Sequence, residues 1–417
     1  MATPNIKEFG SASVRQEFPY LLDVQQRSWE RFWDTDFKEL LTEISPIRDH
    51  TGKEFEMHFL DFKLGEPNYK TDLEAKERDD SYEAPLRVKV RLVNLTTKEV
   101  KEQEVFLTDF PLMTERGTFI INGVERVAIA QLIRSPGAFF TSANWKGKQL
   151  FGAKIIPNRG AWLEFETEGA GSIAVRIDRK RKAPATTLLR AFGVETNEEI
   201  LKLFADVDTG ENKYIEETLK KDTSTNQGEA LVEVYRRLRP GDYVTPETAK
   251  ELIWNMFFNF ERYDLSRVGR WKTWQRLPDL LKKRDSKAGT GEGDITPEDR
   301  VVQLEDVVET LREVIRMNNT PGAEADQIDH LGNRRVRMFS EFLQNRIRVG
   351  FMRTERIIKD RMSTLDSATI TPSQLLNPRP VMAVVKEFFT SSQITQFMDN
   401  ENPLAELEHK RRVSATG

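Results

Sequence analysis

The stretch LRVKVRLVNL, residues 86–95, alternates apolar and polar side chains, and EQEVFLTDF at 102–110 resumes the pattern after a short polar break. Successive side chains of an extended chain point to opposite faces, so this period of two predicts half-buried antiparallel strands joined by a hairpin. Strand signals of this kind run from about 54 to 130, and TERGTFIINGVERVAIAQLI, 114–133, reads as a continuation of the same sheet. Upstream, FPYLLDVQQRSWERFW (18–33) repeats apolar residues at helical spacing through Leu21, Leu22, Trp29 and Phe32, which predicts an amphipathic helix.

Downstream the pattern changes. A second set of strand signals at 140–185 is separated by glycine-containing loops such as NRGAW (158–162) and EGAGS (168–172), so a domain boundary is expected near 135–140. Residues 186–282 read as mostly helical, with a break at LRPGDYVTPE (238–247), where Thr245 followed by Pro246 and Glu247 makes a helix start. RDSKAGTGEGDITPED (284–299) reads as a surface loop, and helix signals return over 297–362, with Phe339, Leu343, Ile347 and Phe351 on one face. In the last stretch, SSQITQFMDNENPLAELEHKRRVSATG (391–417), Ser391 and Ser392 are expected to cap a short helix carrying Gln393, Gln396, Phe397 and Met398. Asn402 and Pro403 are expected to start another, ending on Lys410, Arg411 and Arg412. Together these signals predict an α+β, multi-domain chain, and no period of 20–50 residues repeats.

At 417 residues the chain exceeds one ordinary core. The balance of 63 Lys and Arg against 67 Asp and Glu, a net charge of −4, means that any basic footprint must be local. Two runs qualify: RIDRKRK (176–182), with Arg176, Arg179, Lys180 and Arg181, and the span from Arg334 to Arg361, with nine Lys and Arg against three acids. Either could neutralise phosphates or be a solvated face. No cysteine is present, no apolar run is long enough to cross a membrane, and a cytoplasmic location is expected. The four histidines, His50, His58, His330 and His409, are dispersed, no phosphate loop or nucleophile elbow occurs, and GTGEG (289–293) is flanked by carboxylates that would repel phosphate. DQIDHLGNRR (326–335) places Asp326, Asp329 and His330 together; a metal site, a turn presenting Asp329 and Arg334, and a capped loop are all compatible with those residues.

PYLLDVQQRSWERF, APLRVKVRL, PLMTERGTFIINGVERVAIAQLIRSPGAFF, IIPNRGAWLEFE, RIDRKRKAPATTLLRAFG, ERYDLSRVGRWK, IDHLGNRRVR and FFTSSQITQFMDNENPLAELEHKRRVSATG closely resemble, in order, segments of the β subunits of bacterial multisubunit RNA polymerase. The resemblance covers essentially the whole chain. It implies a mixed helix and antiparallel-sheet protrusion domain with an inserted α/β lobe: 1–134 as N-terminal helix and first protrusion part, 135–335 as lobe, 336–390 as second protrusion part, and 391–417 as the start of the fork. It also implies that the chain is a fragment, since such subunits continue well beyond this length.

By matching position, Gln131, Gln393, Ile394, Gln396, Phe397, Asp399, His409, Arg412 and Ser414 resemble the rifamycin-contacting wall beside nascent RNA. Arg134, Ile328, Asp329 and Arg334 resemble a pocket for an unstacked guanine of non-template DNA. Val100, Lys101 and Glu102 resemble the strand edge where CarD-type and transcription-repair coupling factors dock. Thr390, Thr416 and the wording after Lys272 depart from the family's usual residues.

The implied partners are the β′, α and ω subunits, a sigma factor, DNA and RNA. The implied activity is template-directed nucleotidyl transfer in the assembled enzyme, with Mg²⁺ held by another subunit and none here. The isolated chain is expected to be inactive, to bind DNA weakly with steep salt dependence, and to bind rifamycin poorly. A free-standing nucleic-acid-binding decoy, or a metal-dependent nuclease or ligase, is the alternative.

Overall fold

Burying one face of each alternating stretch sets the pairing of the first strands. The computed structural model describes residues 20–280, 282, 295–365 and 370–415; the readings placed on the stretch before Tyr20, on GTGEG and on Thr416 lie outside the described residues. The chain divides into two compact units, one of residues up to Ile133 and from Val336 onward, the other Arg134–Arg335.

In the first unit α1 (Asp23–Arg31) passes through a π-turn, Phe32–Asp36, into α2 (Phe37–Ile44). Leu21 lies outside the helix and is 40% exposed, whereas Gln25 and Ser28 are buried. The inward face is therefore partly polar: Gln25 Nε2 donates to the carbonyls of Ala128 and Lys410, at 2.9 Å each. Four strands, β1 (Ile47–Arg48), β2 (Phe55–Leu64), β3 (Glu83–Asn94) and β4 (Val100–Pro111), form an antiparallel sheet in that order. α3 (Asp72–Glu77) precedes β3, capped by the Thr71 side chain.

The segment after β4 does not extend this sheet, contrary to the sequence expectation. β5 (Phe119–Ile121) and β6 (Val124–Ala128) pair with each other, and β7 (Ala130–Arg134) belongs to a third sheet. The cause lies in the connection, where Gly117 adopts φ +74° and Gly117 N donates back to Thr114 O at 2.9 Å. Such a turn redirects the chain out of the plane of β4.

In the second unit β8 (Gly137–Trp145), β9 (Lys148–Ile156), β10 (Leu163–Thr167), β11 (Ile173–Ile177) and β12 (Ala183–Pro184) form one antiparallel sheet, ordered β12-β11-β10-β9-β8. Helices among the described residues that follow include α4 (Ala185–Ala191), α5 (Asn197–Phe204), α6 (Tyr214–Lys221), α7 (Gln227–Leu238), α8 (Pro246–Phe257), α9 (Ser266–Arg276) and α10 (Leu304–Asn319). Thr245 caps α8, accepting from Thr248 N, with Pro246 in its first turn. Arg270 of α9 is 1% exposed and grips Asp306 of α10 through two bonds of 2.6 and 2.9 Å.

The strand β13 (Arg334–Arg337) leads into α11 (Phe339–Thr364). Phe339, Leu343, Ile347 and Phe351 are all buried, as their spacing predicts, and Phe351 meets Phe59 edge-on at 5.5 Å. α12 (Pro372–Leu375) and α13 (Arg379–Ser391) follow. A Cβ at Gly350 would lie 3.1 Å from Val381 Cα, so glycine sets how closely α11 and α13 approach.

The helix expected after Ser391 and Ser392 does not form. Ser391 ends α13 and Ser392 is its C-cap, while Thr395–Phe397 is a strand, β14, antiparallel to β6. α14 (Pro403–Arg411) does start on Asn402, whose side chain accepts from Ala405 N at 2.8 Å, and β15 (Val413–Ser414) pairs with β7 in parallel.

Two substitutions test these contacts by urea unfolding. Asp306→Ala leaves a buried guanidinium uncompensated and should cost ~3–5 kcal/mol. Gly350→Val forces α11 off the α13 backbone and should cost ~1–3 kcal/mol.

Candidate nucleic-acid interface

In the second unit, residues 326–334 form a turn fastened to β8. Asp326 Oδ2 accepts from Phe140 N at 2.7 Å, Phe140 O accepts from Asp326 N at 2.9 Å, and Arg276 holds the same carboxylate at 3.3 Å. Asp326 is thereby committed, and it does not join Asp329 and His330 as a metal ligand. His330 instead caps the turn, its Nδ1 accepting from Gly332 N at 3.0 Å. Asn333 closes it by donating from Nδ2 to Gln327 O at 2.8 Å. A small pocket of about 10 Å³ opens beside this turn, lined by Arg134, Phe139, Phe140, Thr141, Lys154, Asp326, Ile328 and Asn333. Roughly one water fills such a volume. Ile328 is 44% exposed there. The Asp329 side chain is 82% exposed, with Arg334 Nη2 at 3.7 Å.

The basic run 176–182 is less cationic than it reads. Arg176 on β11 faces Glu166 on β10 at 3.3 Å, and Lys182 reaches the same carboxylate at 2.7 Å. Asp178 and Arg179 both take left-handed φ, +48° and +58°, and the tight turn they make leaves Arg179, Lys180 and Arg181 exposed. Arg179 lies over the Trp162 ring at 4.9 Å. Along α11 most of the charge is used internally, with Arg348 on Glu43 at 2.6 Å, Lys359 on Glu355 at 2.7 Å, and Arg361 on the Gln374 carbonyl at 2.6 Å. That helix is therefore a weaker polyanion face than its composition predicts; Arg353 and Arg356 are its exposed cations without an ion pair among the described residues.

In the first unit, strand pairing assembles the polar residues of 393–414. β14 aligns Gln396 with Val127 and Phe397 with Arg126, Ile129 N donates to Ile394 O at 3.0 Å, and Ser414 falls opposite Gln131. Ile394 is half-buried and packs against the core. Gln393 and Arg412 are exposed, and Phe397 is 62% exposed. His409 is buried, with Nδ1 accepting from Asp399 N at 3.2 Å and Nε2 3.1 Å from Gln396 Oε1. Burial, then the positive Arg412, pulls its imidazole below the usual histidine value, against a smaller opposing pull from Asp399.

β4 is an edge strand. Val100 is 54% exposed, Lys101 Nζ donates to Ile370 O at 3.3 Å, and Glu102 bridges Lys89 at 2.9 Å and Arg91 at 2.7 Å. Those two cations hold the Glu102 carboxyl below its ordinary range.

No group of three or more metal-ligating side chains is assembled among the described residues. Among the described residues, no helix is long and apolar enough to cross a membrane.

Residues 134–337 match the family model described as RNA polymerase Rpb2, domain 2. The chain is 49% identical over 402 residues to the DNA-directed RNA polymerase subunit beta of Syntrophomonas wolfei and 48% identical over 424 aligned residues to that of Chloroflexus aggregans, each alignment taking in 96% of this chain. The chain belongs to the RNA polymerase β-subunit family. It spans 34% of the length of each of these two relatives.

Two contributors to the site escaped the sequence reading. Arg126 stacks its guanidinium over Phe397 at 4.3 Å and donates to Thr390 O at 3.1 Å, holding the corner between α13 and β14. Asn333 closes the turn that presents Asp329. Arg126 acts through a partner distant in sequence, which no local pattern marks, whereas Asn333 acts within its own turn, on the Gln327 carbonyl.

A lowered histidine pKa means that the unfolded chain binds the extra proton first. The stability that neutral His409 contributes is whole above the free-imidazole value of about 6.5 and declines as pH falls through it, until the folded histidine also protonates. Urea unfolding of the first unit should show this acid-side loss, and His409→Gln should reduce it; an NMR titration of His409 should give a midpoint below that of free imidazole.

Proposed function

We propose that this chain forms part of the wall of a nucleic-acid channel in an assembled, DNA-dependent RNA polymerase. Its second unit, read as a lobe, meets the non-template strand, and its first, read as a protrusion leading into a fork, borders the nascent RNA. The observation that carries this reading is the turn at 326–334. It is fixed from below by Asp326 and Asn333, yet leaves the Asp329 carboxylate and the Ile328 side chain exposed beside Arg134 and Arg334. A carboxylate accepts from the N1–H and exocyclic N–H of guanine, arginines supply positive charge toward the adjoining phosphates, and Ile328 offers an apolar surface to the base plane.

The exposed Arg179, Lys180 and Arg181 suit the phosphate backbone. The polar face of Gln393, Gln396, Phe397, Asp399, Arg412, Ser414 and Gln131 suits RNA or a rifamycin-type ligand. The β4 edge at Val100, Lys101 and Glu102 suits a CarD-type or transcription-repair coupling factor that adds a strand. Subunits β′, α and ω and a sigma factor complete the enzyme in this reading, and β′ supplies the Mg²⁺ that nucleotidyl transfer requires.

Binding of the purified chain to fluorescent single-stranded DNA tests the proposal. Asp329→Ala should weaken an oligonucleotide carrying one unpaired guanine about tenfold, the loss of one charge-assisted bond, and leave a guanine-free oligonucleotide unchanged. Replacing Arg179, Lys180 and Arg181 together by alanine should flatten the salt dependence by roughly 2, at roughly 0.7 per phosphate contact. Equal weakening of both oligonucleotides by Asp329→Ala, or binding indifferent to salt, overturns it.

A further inference from the structure

The contacts around His409 fix more than its charge. A backbone N–H can only donate, so the bond from Asp399 N at 3.2 Å requires a lone pair on His409 Nδ1. The neutral ring then carries its proton on Nε2, and the 3.1 Å contact to Gln396 Oε1 runs from imidazole N–H to amide oxygen. The carboxamide oxygen of Gln396 is thus turned inward, toward a buried ring. Its nitrogen donates one hydrogen to Gln393 O at 3.3 Å. Four groups, Asp399 N–H, the imidazole, the Gln396 amide and the Gln393 carbonyl, form one chain with a single direction, and one N–H of Gln396 is left over.

We propose that His409 is a positioning residue that sets the polarity of Gln396, so that this wall presents a hydrogen-bond donor to an oxygen acceptor on whatever lies along it. The proposal rests on the reading of these residues as a ligand-facing wall and adds the chemistry of the group recognised there: a phosphate, carbonyl or hydroxyl oxygen, and not an N–H donor. Without the His409 proton the carboxamide is held only by the longer bond to the Gln393 carbonyl at 3.3 Å, and the site's preference weakens. Of the neighbouring charged groups, Glu125 on β6 is tied to Thr118 and Lys76, and Arg126 to the Thr390 carbonyl. The polarity is therefore set at the amide oxygen by the histidine and supported at the amide nitrogen by the Gln393 carbonyl, which can only accept.

Two substitutions separate positioning from bulk stability. Asparagine can stand in for Nδ1 of a histidine and glutamine for Nε2, so His409→Gln should keep a donor to Gln396 while His409→Asn should keep only the acceptor for Asp399. In ¹⁵N NMR of the whole chain, the Gln396 side-chain amide should be ordered in the unsubstituted protein and in His409→Gln, and should lose that order in His409→Asn. The unsubstituted ring should show the Nε2–H tautomer.

Titration with a 5′-phosphorylated ribodinucleotide should shift the Gln396 N–H in the first two proteins and not in the third. An Nδ1–H tautomer, or an ordered Gln396 in His409→Asn, overturns the proposal. An ordered Gln396 that never responds to the dinucleotide overturns the reading of this face as a ligand wall and leaves the polarity assignment standing.

Discussion

The apolar face of α11 is the contact on which the first unit depends. Phe339, Leu343, Ile347 and Phe351 are buried among side chains from the beginning of the chain, including Phe59 and Phe119. The strands β2 to β4 and the helices α1 and α2 bring a large aromatic surface, with Trp33 4.8 Å from Phe110 and Phe37 4.9 Å from Phe62. The cluster is completed by residues of α11 and α13 that follow the whole second unit. Aromatic side chains bury more apolar surface than any others, so the contact between these two stretches carries much of the unit's stability.

The polar wall inherits its geometry from that core. β14 and β15 are short, and each gains its position from a partner strand, β6 or β7, laid down far earlier. Gln25 adds a further tie, joining the Ala128 carbonyl at the end of β6 to the Lys410 carbonyl near the end of α14. A buried amide between two carbonyls fixes direction as well as distance, because a donor so placed cannot slide without leaving both acceptors unpaired.

What the sequence made legible follows the range of the interactions. The alternation of 86–95 and the fourfold spacing from Phe339 to Phe351 are local signals of one-sided burial, and both elements form where those signals lie. The α+β class followed from them, and the family from long motifs. The stretch 393–398 was misread because Gln396 and Phe397 also fit a helix, while the force that makes them a strand is the unpaired edge of β6. The charge runs misled for a related reason: Arg176 and Lys182 meet Glu166 across the sheet, an encounter that adjacency in sequence does not record. Arg126 and Gln25 act through partners distant in sequence, so the residues that hold the site were the hardest to read.

Asn402 fixes the phase of α14, and that has a bearing on chain length. Each helical residue advances the side chain by about 100°, so a position seven residues on returns to within about 20° of the same face. His409 stands seven residues after the cap, and so the cap determines which way the ring points. Between these two positions the helix can absorb changes of identity on its outer side, but one inserted or deleted residue would rotate the imidazole through more than a quarter of a circle. In this stretch, spacing is constrained more tightly than composition.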